Sequence, residues 1–478
     1  MVTIAPFRGV VYGKAELEES GGSLFAPPYD VLTQAQQNDY LKSHEHNFLH
    51  IDLGSVLEDD PDPLSWHDRS ASTLTSWLNS GVLVRREHPS MVLMDTEWKH
   101  PLTGRRLTRH GLICLMKLEP WSKESKVRRH EMTFSYHKME RLDLMEKTSA
   151  QLSPAFGFFP DPDDKILKAM YDLVGDSADL TINERAGLTH HISFLQNNDR
   201  LTELIEGFSD TTIYIADGHH RYETALKYRD QVLAQMAKNG QEPVPNSAID
   251  YVMIYLSSMS DPGLCVLPTH RVLSCCDLSN AEVLKALEPF VEVKAFPKPK
   301  EGPSETALSE MVKKMGRDDA KGLTVFGLCL KDTDTFYFLK IRERVKHKAI
   351  KAKPEDKNLL GLDVSILTNI ILKEALGYTE SDLDDPKCIS YFSSIQETVE
   401  AVNKNGNRAA FILNPTSLEE IIKVAEDGMT MPRKATYFYP KVSSGVVFNL
   451  VNPMESVPDL LKAQSAGLGG GIGPVSDF

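Results

Sequence analysis

Apolar positions recur along this chain at two periods, and the changes between them mark its elements. Residues 91–99 and 105–117 are β-rich runs separated by His100-Pro101-Leu102-Thr103-Gly104, the signature of a hairpin. Thr212-Ile213-Tyr214-Ile215-Ala216 is short, β-branched and apolar, which predicts a buried strand. Beyond it Tyr222, Ala225, Leu226, Val232, Leu233 and Met236 recur at helical spacing until Asn239-Gly240 stops the helix. A second apolar strand is predicted at 251–256.

The flanks are patterned less sharply. Upstream, 48–53 predicts a short strand, and 65–80 predicts an amphipathic helix with Trp66, Leu74, Trp77 and Leu78 inward and a stop at Gly81. Residues 136–150 predict a helix and 154–159 an extended run. Downstream, 362–376 predicts an apolar helix ended by Gly377, and 409–413 a strand. Asn414-Pro415 supplies an expected N-cap and first helical residue for a helix ended by Gly428. Strands are expected at 436–439 and 445–451. The polar stretches 297–304 and 346–357 are expected to be linkers or exposed loops, and 463–478 a mobile glycine-rich tail.

Strands and helices interleave throughout, so the expected class is α/β. Residues 1–120 form a mixed α+β part, 121–275 a core around the strand–turn–helix unit, 276–462 a β/α alternating part, and 463–478 the tail. At 478 residues the chain is long enough for such a division.

Charge and cysteine usage narrow the function. The formal net charge is −14, so the surface as a whole repels polyanions, which argues against nucleic acid and anionic membranes as partners. No stretch is apolar for the length of a membrane span, and the first residues lack the pattern of a secretory leader. The six cysteines are scattered without a CxxC pair, which predicts reduced thiols. The expected location is the cytoplasm.

The densest chemistry is Asp217-Gly218-His219-His220-Arg221, where the predicted strand gives way to the predicted helix. A helix start presents unpaired N–H groups and the positive end of the dipole, and so attracts anions. Gly218 permits a tight turn, His219 and His220 add donors, and Arg221 offers a fork for two oxygens. Asp217 suits Mg²⁺ or the orientation of a histidine. Other phosphate or hydrolase signatures fail: Gly9 to Ala15 is one residue short of a P-loop and ends in Ala, and neither HExxH nor GxSxG occurs.

Further polar groups are candidates for the same site. His130 and Glu131 precede a predicted helix carrying Lys138 and Arg141, a base plus cations of the kind phosphoryl transfer needs. A solvated charged helix fits that spacing equally well. Asp30 ends the rigid turn Ala26-Pro27-Pro28-Tyr29-Asp30, His270-Arg271 follow an apolar run, and Lys434 and Lys441 flank an aromatic strand. These five are possible pocket residues.

Together, Ala26-Pro27-Pro28-Tyr29-Asp30-Val31, His130-Glu131 with Lys138 and Glu140-Arg141, Ala216 to Tyr222, Pro268-Thr269-His270-Arg271 and Tyr437 to Lys441 resemble domain-of-unknown-function family 1015. The chain departs from that pattern at Phe134-Ser135-Tyr136, where a Leu-Ser-Gly type of run is usual, and at Ala435, where Ser is common. The Asp-Gly-His-x-Arg turn also resembles the phosphate loop of SerK-type free serine kinases, which have a ParB/sulfiredoxin-like fold. The resemblance implies a small-molecule kinase that phosphorylates free L-serine to O-phosphoserine, with ATP, ADP or pyrophosphate as donor and Mg²⁺ as cofactor. Asp217, His219, His220 and Arg221 match the phosphate turn. In that scheme Asp217 and His220 act in catalysis, with Asp217 as metal ligand, while Gly218, His219, Arg221, His130, Lys138 and Arg141 hold phosphate. Glu131 is assigned as general base on chemistry, since no motif match fixes it. Two alternatives stand beside the kinase: a non-catalytic sensor of phosphate-bearing metabolites using the same pocket, and a ParB-like nucleic-acid regulator, which the net charge disfavours.

Overall fold

The strongest sequence patterns become the strands of two sheets. In a computed structural model, residues 1–131, 135–173, 178–196, 199–298, 305–404 and 406–458 are described. They divide into two units, one from Met1–Arg129, Thr133–Leu264 and Pro440–Phe478, the other from His130–Met132 and Cys265–Tyr439. The chain is α/β, with helices against mixed or antiparallel sheets.

In the first unit the described strands forming one sheet are β1 (Ile4–Ala5), β2 (Ser90–Lys99), β3 (Arg106–Lys117), β4 (Val127–Arg128), β5 (Ala155–Phe159), β6 (Leu180–Asn183), β7 (Thr189–Gln196), β8 (Ile213–Asp217) and β9 (Tyr251–Ser258). Their order is β4-β8-β5-β9-β3-β2-β7-β6, with β1 also on β3. The β2–β3 hairpin turns at His100 to Gly104, as the pattern predicts. Only β4–β8 and β5–β9 run parallel. Near-continuous apolar runs such as β8 and β9 are buried on both faces, and Ile213, Ile215, Ile254, Leu256 and Phe208 share one core. Helices α1 (Trp66–Ser80), α2 (Ser135–Thr148) and α3 (His219–Lys238) match the predicted helical stretches. Leu142 and Met145 of α2 pack with Tyr228 of α3, which lays the two helices side by side.

The second unit holds an antiparallel sheet of β10 (His270–Leu273), β11 (Val291–Pro297), β12 (Val325–Leu330), β13 (Thr335–Ile341), β14 (Ile389–Phe392) and β15 (Ala409–Ile412), ordered β11-β13-β12-β15-β10-β14. Met311 and Met315 of the helix Glu305–Asp319 and Ala401 and Val402 of Ile395–Val402 close its core over Val272, Phe336 and Ile412.

Several local expectations are corrected. Residues 48–53 form a short helix, Leu49–Asp52, started by Asn47, whose Oδ1 accepts from Leu49 N at 3.0 Å. An apolar run of six does not separate strand from buried helix, and Leu49 and Ile51 are fully buried. The charged stretch 346–357 is largely helical, Glu343–Ala352, because Val345, Ala349 and Ile350 make a narrow stripe that the lysines conceal. The helix after β15 starts at Leu418, capped by Ser417 with Glu420 in a capping box that outranks Asn414-Pro415. The apolar helix at 362–376 is α-helical over Asp363–Ile366 and then widens to π-type turns over Leu367–Ala375. Of 445–451, only Asn449–Leu450 is strand, since Gly445 (φ +96°) turns tightly against Phe48. Cys275 and Cys388 form a disulfide rather than staying reduced, because the β10–β14 register sets them side by side despite 113 residues of separation. Residues 299–304 of the linker expected at 297–304, and the tail at 463–478, lie outside the described residues.

Candidate functional site

The site grows from the end of β8. This strand pairs with β4 and β5, and its register against β5 shifts between Ile215 and Asp217, leaving Ala216 as an extra residue. Such a bulge re-aims the residue that follows it. Gly218 then turns at φ +76°, a left-handed conformation that favours glycine. A Cβ there would lie 2.8 Å from Arg221 Nε and 3.2 Å from Ala155 Cα, so the position is closed sterically as well. Helix α3 begins at His219 and is anchored by Tyr222 and Ala225 in the core, with Tyr222 Oη donating to Glu119 O at 2.9 Å.

Asp217 is the electrostatic centre of the turn. Arg221 Nη2 donates to its Oδ2 at 2.7 Å, and Lys441 Nζ donates to its Oδ1. Burial acts to raise the carboxyl's pKa, but Lys441 and Arg221 outweigh it and hold the group well below the usual carboxylate range. Arg221 Nη1 donates to Pro154 O. Both ends of the guanidinium are therefore committed to shaping the turn, rather than open as a fork for phosphate. Burial lowers the Arg221 pKa, yet the charges of Asp217 and then Asp30 raise it overall.

Beside the turn, the pairing of α2 with α3 brings in Arg141, which is 6% exposed. Its Nη1 donates to Asp52 O at 2.8 Å and Asp52 Oδ1 at 3.1 Å, and its guanidinium lies 3.5 Å from the centre of the Tyr29 ring. Asp52 Oδ2 accepts from Ser153 Oγ at 3.3 Å and Ser444 Oγ at 3.1 Å. Burial pushes the Tyr29 hydroxyl up to about 12, against the pull of Arg141. A small cavity of about 50 Å³ opens here, walled in part by Tyr29, Arg141, Gln151, Ser153, Arg221 and Thr224. Arg141 Nε, Arg221 Nε and Thr224 Oγ1 are buried without a hydrogen-bond partner among the described residues. Buried donors of that kind call for a ligand or water.

Of the residues expected from sequence, the first unit thus gathers Asp30, Arg141, Asp217, Gly218, Arg221 and Lys441. His219 is buried and contributes to the low Asp217 pKa, and His220 is half-buried. Asp30 is exposed and acts electrostatically on Arg221. The side chain of Lys138 lies outside the described residues. The remaining candidates belong to the second unit. His130 Nε2 shares a 3.0 Å hydrogen bond with Thr436 Oγ1, and Glu131 forms a backbone bridge with Met431. His270 Nδ1 accepts from Leu413 N at 3.2 Å, and burial drives its pKa down to about 3. Arg271 is held by Thr269 and by the Lys434 carbonyl at 3.1 Å, with its pKa lowered to about 10 by burial. Asp52, Ser153, Thr224 and Ser444 escaped the sequence reading. Ser153, beside Pro154 in a predicted extended run, carried the nearest thing to a signal.

A Mg²⁺ held by Asp217 does not fit this arrangement. Mg²⁺ needs free carboxylate oxygens, whereas both oxygens of Asp217 already face cations, and among the described residues no group of three His, Cys, Asp or Glu ligands converges there.

The profile of the family "Protein of unknown function (DUF1015)" matches residues 4–365. The chain belongs to that family. A search of curated proteins found no match. Among solved structures, a free serine kinase in complex with AMP is 12% identical, with a TM-score of 0.30 over 66% of this chain and 83% of that one. SbnI with a C-terminal truncation, from Staphylococcus aureus, is 10% identical with a TM-score of 0.32, over 72% of this DUF1015 chain and 91% of its own. A conserved hypothetical protein from Pyrococcus furiosus is 12% identical at a TM-score of 0.28, over 66% and 87%. Scores of this size carry no activity across to the DUF1015 chain.

Proposed function

We propose that the first unit is a small-molecule phosphotransferase. The turn at 217–221 holds the phosphates of ATP, ADP or pyrophosphate, and an alcohol, free L-serine by resemblance of the turn, accepts the phosphoryl group. The observation that carries this reading is the charge at the turn. Lys441 and Arg221 both contact Asp217 at the start of a 20-residue helix, with Asp30 and Asp52 acting on Arg221 from farther off, so two cations stand beside the open N–H groups of the first turn in a chain of net charge −14. Its donors are the first-turn N–H groups of α3, with the charges of Lys441 and Arg221 nearby and Arg221 fixing the turn's shape.

The acceptor hydroxyl enters the cavity beside Arg141 and Arg221. Its oxygen bonds to the terminal phosphorus, the bond from that phosphorus to the donor's bridging oxygen breaks, and the hydroxyl proton passes to a carboxylate. Asp217 is a poor base, because its cations favour the ionised form, and Asp52 is buried under Arg141, Ser153 and Ser444. Asp30 is exposed and close enough to Arg221 to raise its pKa, which favours Asp30 as base.

The test is incubation of the purified chain with L-serine, Mg²⁺ and each donor in turn, with phosphorus NMR of the products. The expected result is O-phosphoserine from one donor. Donor binding without transfer to serine or another hydroxyl compound would leave a binding protein and remove the enzyme.

A further inference from the structure

A second polar cluster in the first unit has the donor set of a transition-metal site. The helix Lys14–Ser20 presents Glu16 and Ser20 one turn apart, hence on one face. After the helix Gln34–Ser43 the chain is extended at His44 and turns back through His46, which brings both imidazoles to that face. His46 Nδ1 lies 2.8 Å and His44 Nδ1 4.0 Å from the same atom, Glu16 Oε1. Ligand atoms of the three residues lie within 4.8 Å of one another. Their side chains are 14–25% exposed, so an ion can reach them while the surroundings stay shielded.

The supports are in place too. Ser20 Oγ sits 2.9 Å from His44 Nε2 and donates to Glu16 Oε1 at 3.2 Å, so it fixes the far nitrogen of one imidazole and orients the carboxylate. Partners of this kind, beyond the ligands themselves, set imidazole tautomer and direction in metal sites. Trp77 meets the His46 ring edge-on at 5.3 Å, and Tyr12 Oη donates to His46 O at 2.7 Å, which holds the turn.

The geometry points to a site for a divalent transition ion of the Zn²⁺ class, ligated by Glu16, His44 and His46. Two imidazoles with one carboxylate suit Zn²⁺, Ni²⁺, Cu²⁺ or Fe²⁺, whereas Mg²⁺ and Ca²⁺ take oxygen ligands. Bonds of about 2.0–2.2 Å to a tetrahedral ion set ligand atoms roughly 3.3–3.5 Å apart. The pair at 2.8 Å would open and the pair at 4.0 Å would close by about half an ångström, within the reach of side-chain rotation, and His44 Nδ1 would exchange the hydrogen bond it accepts from His46 N at 3.0 Å for the metal. Three protein ligands leave a fourth position for water. In the chain, Glu16 and Ser20 precede residues 21–43 and His44 and His46 follow them, so the ion ties both ends of the segment that carries Tyr29 and Asp30. The site stands independently of the phosphotransferase reading.

The test is calorimetric titration of the metal-stripped full chain with ZnCl₂, repeated for His46→Gln, His44→Gln and the control His50→Gln, which lies by Trp77 outside the ligand set. Circular dichroism and thermal melts check that each variant folds. The site predicts one equivalent of Zn²⁺, a loss of affinity of roughly tenfold or more in either ligand variant, and an unchanged control. Replacement by Co²⁺ should give the intense visible absorption of a four-coordinate ion, lost in His46→Gln. No stoichiometric binding by the wild type, or the same affinity in folded His44→Gln and His46→Gln, overturns the site and leaves Glu16–His46 as a plain hydrogen bond.

Discussion

Lys441 places its ammonium on Asp217 Oδ1 across 224 residues of sequence. Arg221 takes the opposite oxygen, so one carboxylate organises the strand end, the first turn of α3 and the returning C-terminal segment. The cluster is half-buried, and on the proposed function its stability and its hold on a phosphate come from the same contacts.

Removing one cation should therefore cost both. Lys441→Met deletes a charge-assisted hydrogen bond to Asp217, a contact typically worth about 1.5–3 kcal/mol. Urea denaturation at neutral pH should show a loss of that order, and pyrophosphate affinity should fall in parallel. An unchanged midpoint would mean that the pair is not formed in solution.

The same pair sets an acid limb. The folded-state pKa of Asp217 lies below its unfolded value of about 3.9, so its contribution is complete above that pH and is lost as pH falls towards the folded value. Stability measured from about pH 5 down to about pH 2 should drop more steeply in the wild type than in Asp217→Asn, once the baseline loss of that variant is subtracted.

His270 in the second unit gives a separate window. Its folded pKa of about 3 lies under an unfolded value of about 6.5, so the unfolded state binds the extra proton between them. This residue should destabilise the second unit progressively as pH falls from about 6.5 towards 3. His270→Gln removes the titration, and its stability profile should be flatter in that range by hydrogen exchange of β10 and β15.

How much of this could be read beforehand depends on how local each pattern is. The strand, the glycine turn and α3 were legible because apolar period, positive φ and helix start all lie within 26 residues, 213–238. Lys441 and Asp217 each stood out as candidates, but their pairing did not, since an ion pair so distant in sequence leaves no periodic trace. Asp52 was hidden twice: it sits in an apolar run that favours no particular element, and its partner Arg141 is 89 residues away. Arg141 itself lay in what spacing alone allowed to be a solvated helix, and only the packing of Met145 and Leu142 on Tyr228 shows that this face turns inward. The Cys275–Cys388 bond likewise depends on strand register.

The two carboxylates proposed as base separate by mutation. Asp30→Asn should abolish phosphoryl transfer while leaving donor affinity within a few-fold, whereas Glu131→Gln should keep most of the turnover. The reverse outcome in steady-state kinetics would return the role to Glu131.

The claim beneath these predictions is that a polyanion sits at the turn closed by Gly218. Isothermal titration of pyrophosphate and ADP into the wild type and Gly218→Ala tests it most directly, because a Cβ at φ +76° must displace Arg221. With folding verified by circular dichroism, the substitution should weaken binding by roughly tenfold or more, the equivalent of about 1.4 kcal/mol. Equal affinity in the two proteins would contradict the account and place any phosphate elsewhere.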